Sequence, residues 1–313
     1  MTTQRDPASG QDGDQDGFAL VMVLLFLLAI TAVIAPLVLG ARTEFLVSSN
    51  RLQQDRLESI ADGIVIVLAR QLGAPPLEPR NEEIMVNSAP LRCGNARYLI
   101  EARVQDQAGL IGINKASVEL LTAGFTALEF PASTASDMAE AAVAFRTPPD
   151  EPPPPGVGHD DLVAGGLKLK PFEAVEELYD FTGFKGKPVQ AINEVFSLQN
   201  TTENILGPRI STRLGRVLPP APTPRYPFIL DQPPEGPKIY RIDVLVKTAN
   251  AAMSGYAGAI VAASENETGD FEIVERTGNP EFQPEGSSDF SGAMDCGMLL
   301  GAGVENVLLS NID

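Results

Sequence analysis

The chain has 313 residues, 44% of them hydrophobic, and carries a formal net charge of −18. That length holds one large domain or two modest ones, and the charge argues against a nucleic-acid backbone as partner, because like charges repel and no counterions would be released. One His and two Cys argue against a rich metal site or a disulfide scaffold.

The first element is a helix. From Phe18 to Gly40 the sequence reads FALVMVLLFLLAITAVIAPLVLG, without a charge. About 23 residues at roughly 1.5 Å each span about 34 Å, enough for a hydrocarbon core of about 30 Å. A secretory signal has a shorter apolar region, about 7–15 residues, before a small-x-small cleavage site. Gly40, Ala41 and Arg42 make a poor one. The run therefore predicts a transmembrane helix over 18–40, with Pro36 tolerated near its end. Arg42, Arg51 and Arg56 follow the span and Arg5 alone precedes it, so the positive-inside rule by itself would keep the rest of the chain cytoplasmic. That bias is small, and long domains translocate largely regardless of charge.

The helix continues past the span. Leu57, Ile60, Ala61, Ile64, Leu68 and Leu72 recur at intervals of three and four, while Arg51, Asp55, Arg56, Glu58 and Asp62 fill much of the other side. Gly73, Pro75 and Pro76 end it. The apolar stripe needs a partner surface, most simply a sheet of the same chain.

A strand follows over 98–105, where Tyr98, Ile100, Ala102 and Val104 alternate with Leu99, Glu101, Arg103 and Gln105. Ser117 is placed to cap a short helix before Val118, and a second helix falls around 137–146. The stretch PFEAVEELYDFTGF over 171–184 reads as another helix, closed by Gly183. Between these lies the loop TPPDEPPPPGVGHDDLVAGG over 147–166, stiffened by proline and loosened by glycine. A proline-rich connector covers 217–238. Tyr240, Ile242, Val244 and Val246 then mark a strand, and YAGAIVAAS and FEIVERTG mark two more in an antiparallel meander. Nothing in the sequence supports catalysis: it has no glycine-rich phosphate loop, no Cys-x-x-Cys, and no His beside a Ser or Cys. His159 sits in the proline-rich loop with no positioned nucleophile.

A short hydrophilic leader, Gly17 then Phe18, a long apolar helix and a globular head together resemble the type IV pilin family. The resemblance implies a fold of class α+β: a long N-terminal helix, transmembrane in its first half, packed on an antiparallel sheet. It also implies that a prepilin peptidase cuts after Gly17 and methylates Phe18. Most members have Glu at the fifth mature position, where this chain has Met22. The member that typically lacks this Glu belongs to the general secretion pathway protein K family, the minor pseudopilin K of type II secretion. The segments YLIEARVQDQAGLIGINKASVELL and PFEAVEELYDFTGF are similar to that family's sequence. The leader, with Asp6, Asp12, Asp14 and Asp16, is more acidic than is usual for the family.

On this resemblance the chain divides into a leader (1–17), an N-terminal helix (18–72, with 18–40 in the membrane) and a first part of the β domain (73–109). A large helical insertion domain (110–215), a proline-rich linker (216–237), a second part of the β domain (238–277) and a tail (278–313) follow. The implied function is capping the tip of the secretion pseudopilus and helping its assembly begin. The implied partners are minor pseudopilins I and J, the major pseudopilin, the prepilin peptidase and the inner membrane, with the head in the periplasm. No enzyme activity and no required cofactor are implied. Cys93 and Cys296 would then lie in an oxidising compartment, but two cysteines so far apart do not establish a bond.

Two alternatives stay open. Asp150, Glu151, Asp160 and Asp161 are oxygen donors of the type calcium prefers, and relatives in that family have an aspartate-rich loop here. A solvated acidic loop explains the same residues without a metal and is preferred. The segment over 178–192 resembles a helix-hairpin-helix, in which Lys185 and Lys187 would suit a phosphate. The acidic neighbours Glu173, Glu176, Glu177 and Asp180 and the absence of a basic stripe favour a packing role, and no nucleic acid is expected as partner.

Overall fold

The computed structural model describes residues 13–73, 84–150, 162–233, 236–250, 253–264, 270–278 and 294–301. The chain divides into two units, residues 1–54 and 55–313. The first helix, α1 (Gly13–Gly73), has residues in both. In the first unit Leu20, Phe26, Phe45 and Leu52 are all exposed on it. Among the described residues no helix is long and apolar enough to cross a membrane. The span read over 18–40 includes side chains at 18–19 and 35–40 that lie outside the described ones.

In the second unit a hairpin comes first, β1 (Leu91–Gly94) and β2 (Tyr98–Asp106). Then come β3 (Ile111–Gly112), α2 (Val118–Ala127), α3 (Ala132–Arg146), α4 (Val189–Asn193), β4 (Phe196–Ser197), β5 (Ile205–Leu206) and β6 (Ile229–Leu230). The chain returns as β7 (Lys238–Thr248), β8 (Ser254–Ala263) and β9 (Phe271–Thr277), and closes with β10 (Met294–Asp295) and α5 (Cys296–Leu300).

Six strands form one sheet in the order β10-β1-β2-β7-β8-β9. Its centre joins β2 to β7 antiparallel, from Tyr98 opposite Thr248 to Asp106 opposite Tyr240. Every segment from 107 to 237 is therefore an insertion between two strands that are neighbours in space. The period-two pattern explains the pairing. Ile100, Ala102 and Val104 on β2 and Ile242, Val244 and Val246 on β7 share one buried face. Leu57, Ile60, Ala61, Ile64 and Leu68 of α1 belong to the same core, so the helical stripe meets the sheet as its spacing requires. Each leucine or isoleucine among them, fully buried, contributes about 1.5–3 kcal/mol. Gly255 on β8 lets helix and sheet close up: a Cβ there would run into the Leu57 carbonyl carbon and the Glu58 nitrogen.

The insertion has its own core. Phe125, Phe130, Phe184 and Phe196 pack with ring centroids 5.1–6.4 Å apart, between α2, α3 and the turns that follow. Ser117 caps α2 through its hydroxyl, which accepts from the Leu120 amide at 3.2 Å. The helix read around 137–146 starts earlier, at Ala132, directly after Pro131.

The segment over 171–184 is not the α-helix its sequence predicts. It forms a single 3-10 helix, Val175–Asp180. Val175, Leu178, Phe181 and Phe184 are all buried at intervals of three, and a 3-10 helix, with three residues per turn, brings every third side chain to one face. Gly183 lies at φ +95° in the turn after it.

The proline-rich connector is no free linker either. Leu218, Phe228 and Ile229 are buried in the insertion core, and β6 pairs with β5 in parallel. The tail, which the sequence left unassigned, supplies β10, parallel to β1, and a disulfide between Cys93 and Cys296, with Cα atoms 5.0 Å apart.

Candidate functional site

Gly17 and Phe18 lie within α1, and their side chains are outside the described ones. Of the four acids read as calcium donors, Asp150 is exposed in the turn after α3, and Glu151, Asp160 and Asp161 lie outside the described residues. Among the described residues no group of three His, Cys, Asp or Glu side chains is placed to hold a metal. His159 also lies outside them.

The hairpin over 178–192 uses its polar groups on its own chain. The Lys187 ammonium donates to the Leu128 carbonyl at 2.6 Å and sits 4.9 Å from the centre of the Phe130 ring. The Tyr179 hydroxyl donates to the Lys187 carbonyl, also at 2.6 Å. Lys185 is exposed. One of the two cations thus serves packing, which favours a structural hairpin over a phosphate clamp.

The polar face of β2 is where the structure departs most from the sequence reading. Leu99, Glu101, Arg103 and Gln105 alternate with the core residues, the pattern of a half-buried strand, but Glu101, Arg103 and Gln105 are buried as well. The insertion covers them. Glu101 accepts from Arg92 Nε at 2.9 Å and from Arg103 Nη2 at 3.0 Å. Arg103 Nη1 donates to Glu194 Oε1 at 3.0 Å, and Arg213 Nε donates to Glu194 Oε2 at 3.0 Å. Gln105 Nε2 reaches the Arg209 carbonyl at 3.0 Å, and its Oε1 accepts from Ser88 Oγ at 2.8 Å. Three arginines and two glutamates therefore form a chain from β1 to the insertion. Buried charges persist only when so paired.

Two further groups flank this seam. Arg241 on β7 gives its Nε to Asp243 Oδ2 at 2.9 Å, and Tyr256 on β8 donates to Asp243 Oδ1 at 2.5 Å. Burial raises the Tyr256 pKa well above the usual tyrosine range, and the Asp243 charge adds to the effect. Gly258 leaves room for this knot, since a Cβ there would strike the Thr277 and Tyr256 hydroxyls. Beside Arg241 opens a cleft of about 360 Å³ between the turn at 173–176 and the end of β9. Among the described residues these surfaces bring together no nucleophile with a base and no cradle for a cofactor.

Sequence reasoning missed the ladder and left the bond between Cys93 and Cys296 open. The one available signal for the ladder was the charge on alternate positions of β2, and it is the same signal that a solvent face gives.

No family model matches the chain, and no curated protein matches it. Among solved structures the chain is similar to a chain of the GspK-GspI-GspJ complex from the enterotoxigenic Escherichia coli type 2 secretion system. The two are 13% identical, the match covers 74% of this chain and 98% of that one, and the TM-score is 0.49.

Proposed function

We propose that this protein is a minor pseudopilin of type II secretion, of the K kind, acting as a structural subunit rather than an enzyme. One observation carries the reading. The apolar stripe of α1 lies under an antiparallel sheet whose central strands, β2 and β7, are separated by a helical insertion with its own core. That is the architecture the resemblance implied, and the segment ahead of the stripe is the long uncharged run of 18–40.

In this reading the uncharged run anchors the chain in the inner membrane and the head lies in the periplasm. The buried disulfide supports an oxidising compartment and weighs against the small arginine bias. The partners are pseudopilins similar to I and J, with the major pseudopilin below them, as the resemblance implies. Cleavage after Gly17 leaves the Phe18 amine as a positive charge that is costly in lipid unless paired. A Glu at the fifth position of the subunit below pairs with it. Met22 offers no such carboxylate to a subunit above, and the insertion obstructs one. Both features make this chain a cap, and assembly begins from it.

The test is made in cells with an active prepilin peptidase. The chain isolated from membranes should begin at a methylated Phe18, and Gly17→Leu should keep its leader. Immunogold should label pseudopili at one end. A wild-type protein still beginning at Met1, or label along whole filaments, sinks the proposal.

A further inference from the structure

Three features meet at one end of the sheet, and none is used by the capping role. The first is a free strand edge. β9 pairs with β8 and with no other strand among the described residues. Its register slips between Ile260 and Val261, so Val274 stands outside the pairing and the strand bends there. The bulge and the charges of Glu272, Glu275 and Arg276 guard the edge against long strand pairing. The short stretch after the bulge, Glu275 to Gly278, runs directly into the cleft, where Glu275, Thr277 and Gly278 form one wall.

The second feature is the cleft's polar floor. Asn193 and Gln199 line it, and their side-chain amides make no hydrogen bond among the described residues. Arg241 lies beside them, tied to Asp243. Amide and guanidinium donors call for acceptors such as main-chain carbonyls.

The third feature is the rim. Glu173, Glu176 and Glu275 are exposed around the opening. Glu173 lies 3.4 Å from Lys168, whereas Glu176 and Glu275 pair with no cation among the described residues. The nearest cation on β9, Arg276, is engaged with Asp62 of α1. A carboxylate or phosphate ligand would meet this rim before it reached Arg241, and like charge would turn it away.

We infer that the cleft between 173–176 and the end of β9 is a docking site for a short, extended, basic segment of another protein. The segment adds to the free edge at 275–278, gives carbonyls to Asn193 and Gln199, and sets lysine or arginine side chains against Glu176 and Glu275. Edge addition supplies main-chain hydrogen bonds and the flanking pockets supply selectivity. At about 360 Å³ the cleft lies at the small end of ligand-sized sites, which suits a few extended residues and not a helix of about 10 Å diameter. The inference holds whether or not the chain caps a filament.

The test uses the full chain in detergent and a fluorescein-labelled, acetylated and amidated peptide, Lys-Thr-Lys-Val-Arg-Thr-Lys, read by anisotropy. The peptide should bind saturably, and its counterpart with Glu at every basic position should not. Glu176→Lys with Glu275→Lys should weaken binding at least tenfold. Glu129→Lys with Asp137→Lys changes net charge equally at two exposed residues that do not line the cleft, and it should leave binding within about twofold. A photo-reactive version should crosslink to 275–278. Equal weakening by both double variants would mean diffuse attraction to an acidic surface and would overturn the site. So would crosslinks elsewhere, no saturable binding, or binding that appears only when 279–293 are replaced by a glycine-serine linker, since the chain's own segment would then be the occupant.

Discussion

At Gly255 helix and sheet come too close for a side chain, and its missing Cβ is what permits the approach. The groups a Cβ would strike are backbone atoms of Leu57 and Glu58, with Leu57 Cβ only 2.6 Å away. Backbone cannot rotate aside as a long side chain can, so α1 would have to lift along its stripe. Gly255→Ala should therefore cost about 1–3 kcal/mol, as overpacking does. Gly215→Ala, at a position with open space around it, should leave stability unchanged or slightly raised. Urea denaturation of the two variants checks the pair. Asp106 poses a different problem at the same scale. It is buried at the end of β2, and burial raises its pKa above the ordinary aspartate value despite the Ala108 amide and the nearby Arg209 and Lys238. A carboxyl that holds its proton more tightly in the folded state stabilises the fold at low pH, below the ordinary value of 3.8. That contribution is lost as pH rises through the raised value. Asp106→Asn keeps an oxygen to accept from Ala108 and carries no charge, so the variant should gain on the wild type as pH rises from below 3.8 through the raised value. A stability difference that stays flat over that range would count against the burial argument.

Among the elements, β10 is the least self-sufficient, because two residues of parallel pairing cannot hold a strand in place. The bond from Cys296 to Cys93 holds it on β1. Replacing both cysteines by alanine should lower stability by about 2–4 kcal/mol. A reductant should bring the wild type down to the variant, provided it reaches the buried sulfurs. If the variant unfolds at the same urea concentration as the oxidised wild type, the tail contributes nothing. This element was not legible in the sequence. Its strand is too short to show a period, and two cysteines 203 residues apart do not by themselves establish a bond. The central strands were legible because Ile100, Ala102 and Val104 repeat at two, and the α1 stripe because Leu57, Ile60, Ile64 and Leu68 repeat at three and four. The segment over 175–184 misled for a related reason: a spacing of three fits both helix types, and the length cut short by Gly183 decides between them. In the candidate docking cleft the acids were visible, but the edge of β9 and the register bulge exist only once the sheet is assembled.

For the molecule as a whole, the main question is what makes sheet and insertion act as one head, since each has its own hydrophobic core. The charged ladder is the answer the contacts give. Glu194 lies in the insertion and holds Arg103 of β2 and Arg213 at 3.0 Å each. Its side chain is 12% exposed, Arg103's 8% and Arg213's 13%, so water does little to screen the pairs. Without Glu194, Glu101 alone would face Arg92 and Arg103, and Arg213 would lose its ion pair with Glu194. Removing one partner of a buried ion pair costs about 3–5 kcal/mol, because the charge left behind stays out of water. Glu194→Ala should lose about that much, whereas Arg92→Ala, at a position 30% exposed, should lose less, because the buried Glu101 it leaves behind keeps Arg103 at 3.0 Å. The character of unfolding should change as well. With the ladder broken, the aromatic core of the insertion can outlast the sheet. Hydrogen exchange read by mass spectrometry should then show amides of α2 and α3 protected under conditions where β2 and β7 already exchange. In the wild type the two sets should open together. A single cooperative transition in Glu194→Ala, with less than about 1 kcal/mol lost, would mean that apolar contact and not charge joins the two halves of the head.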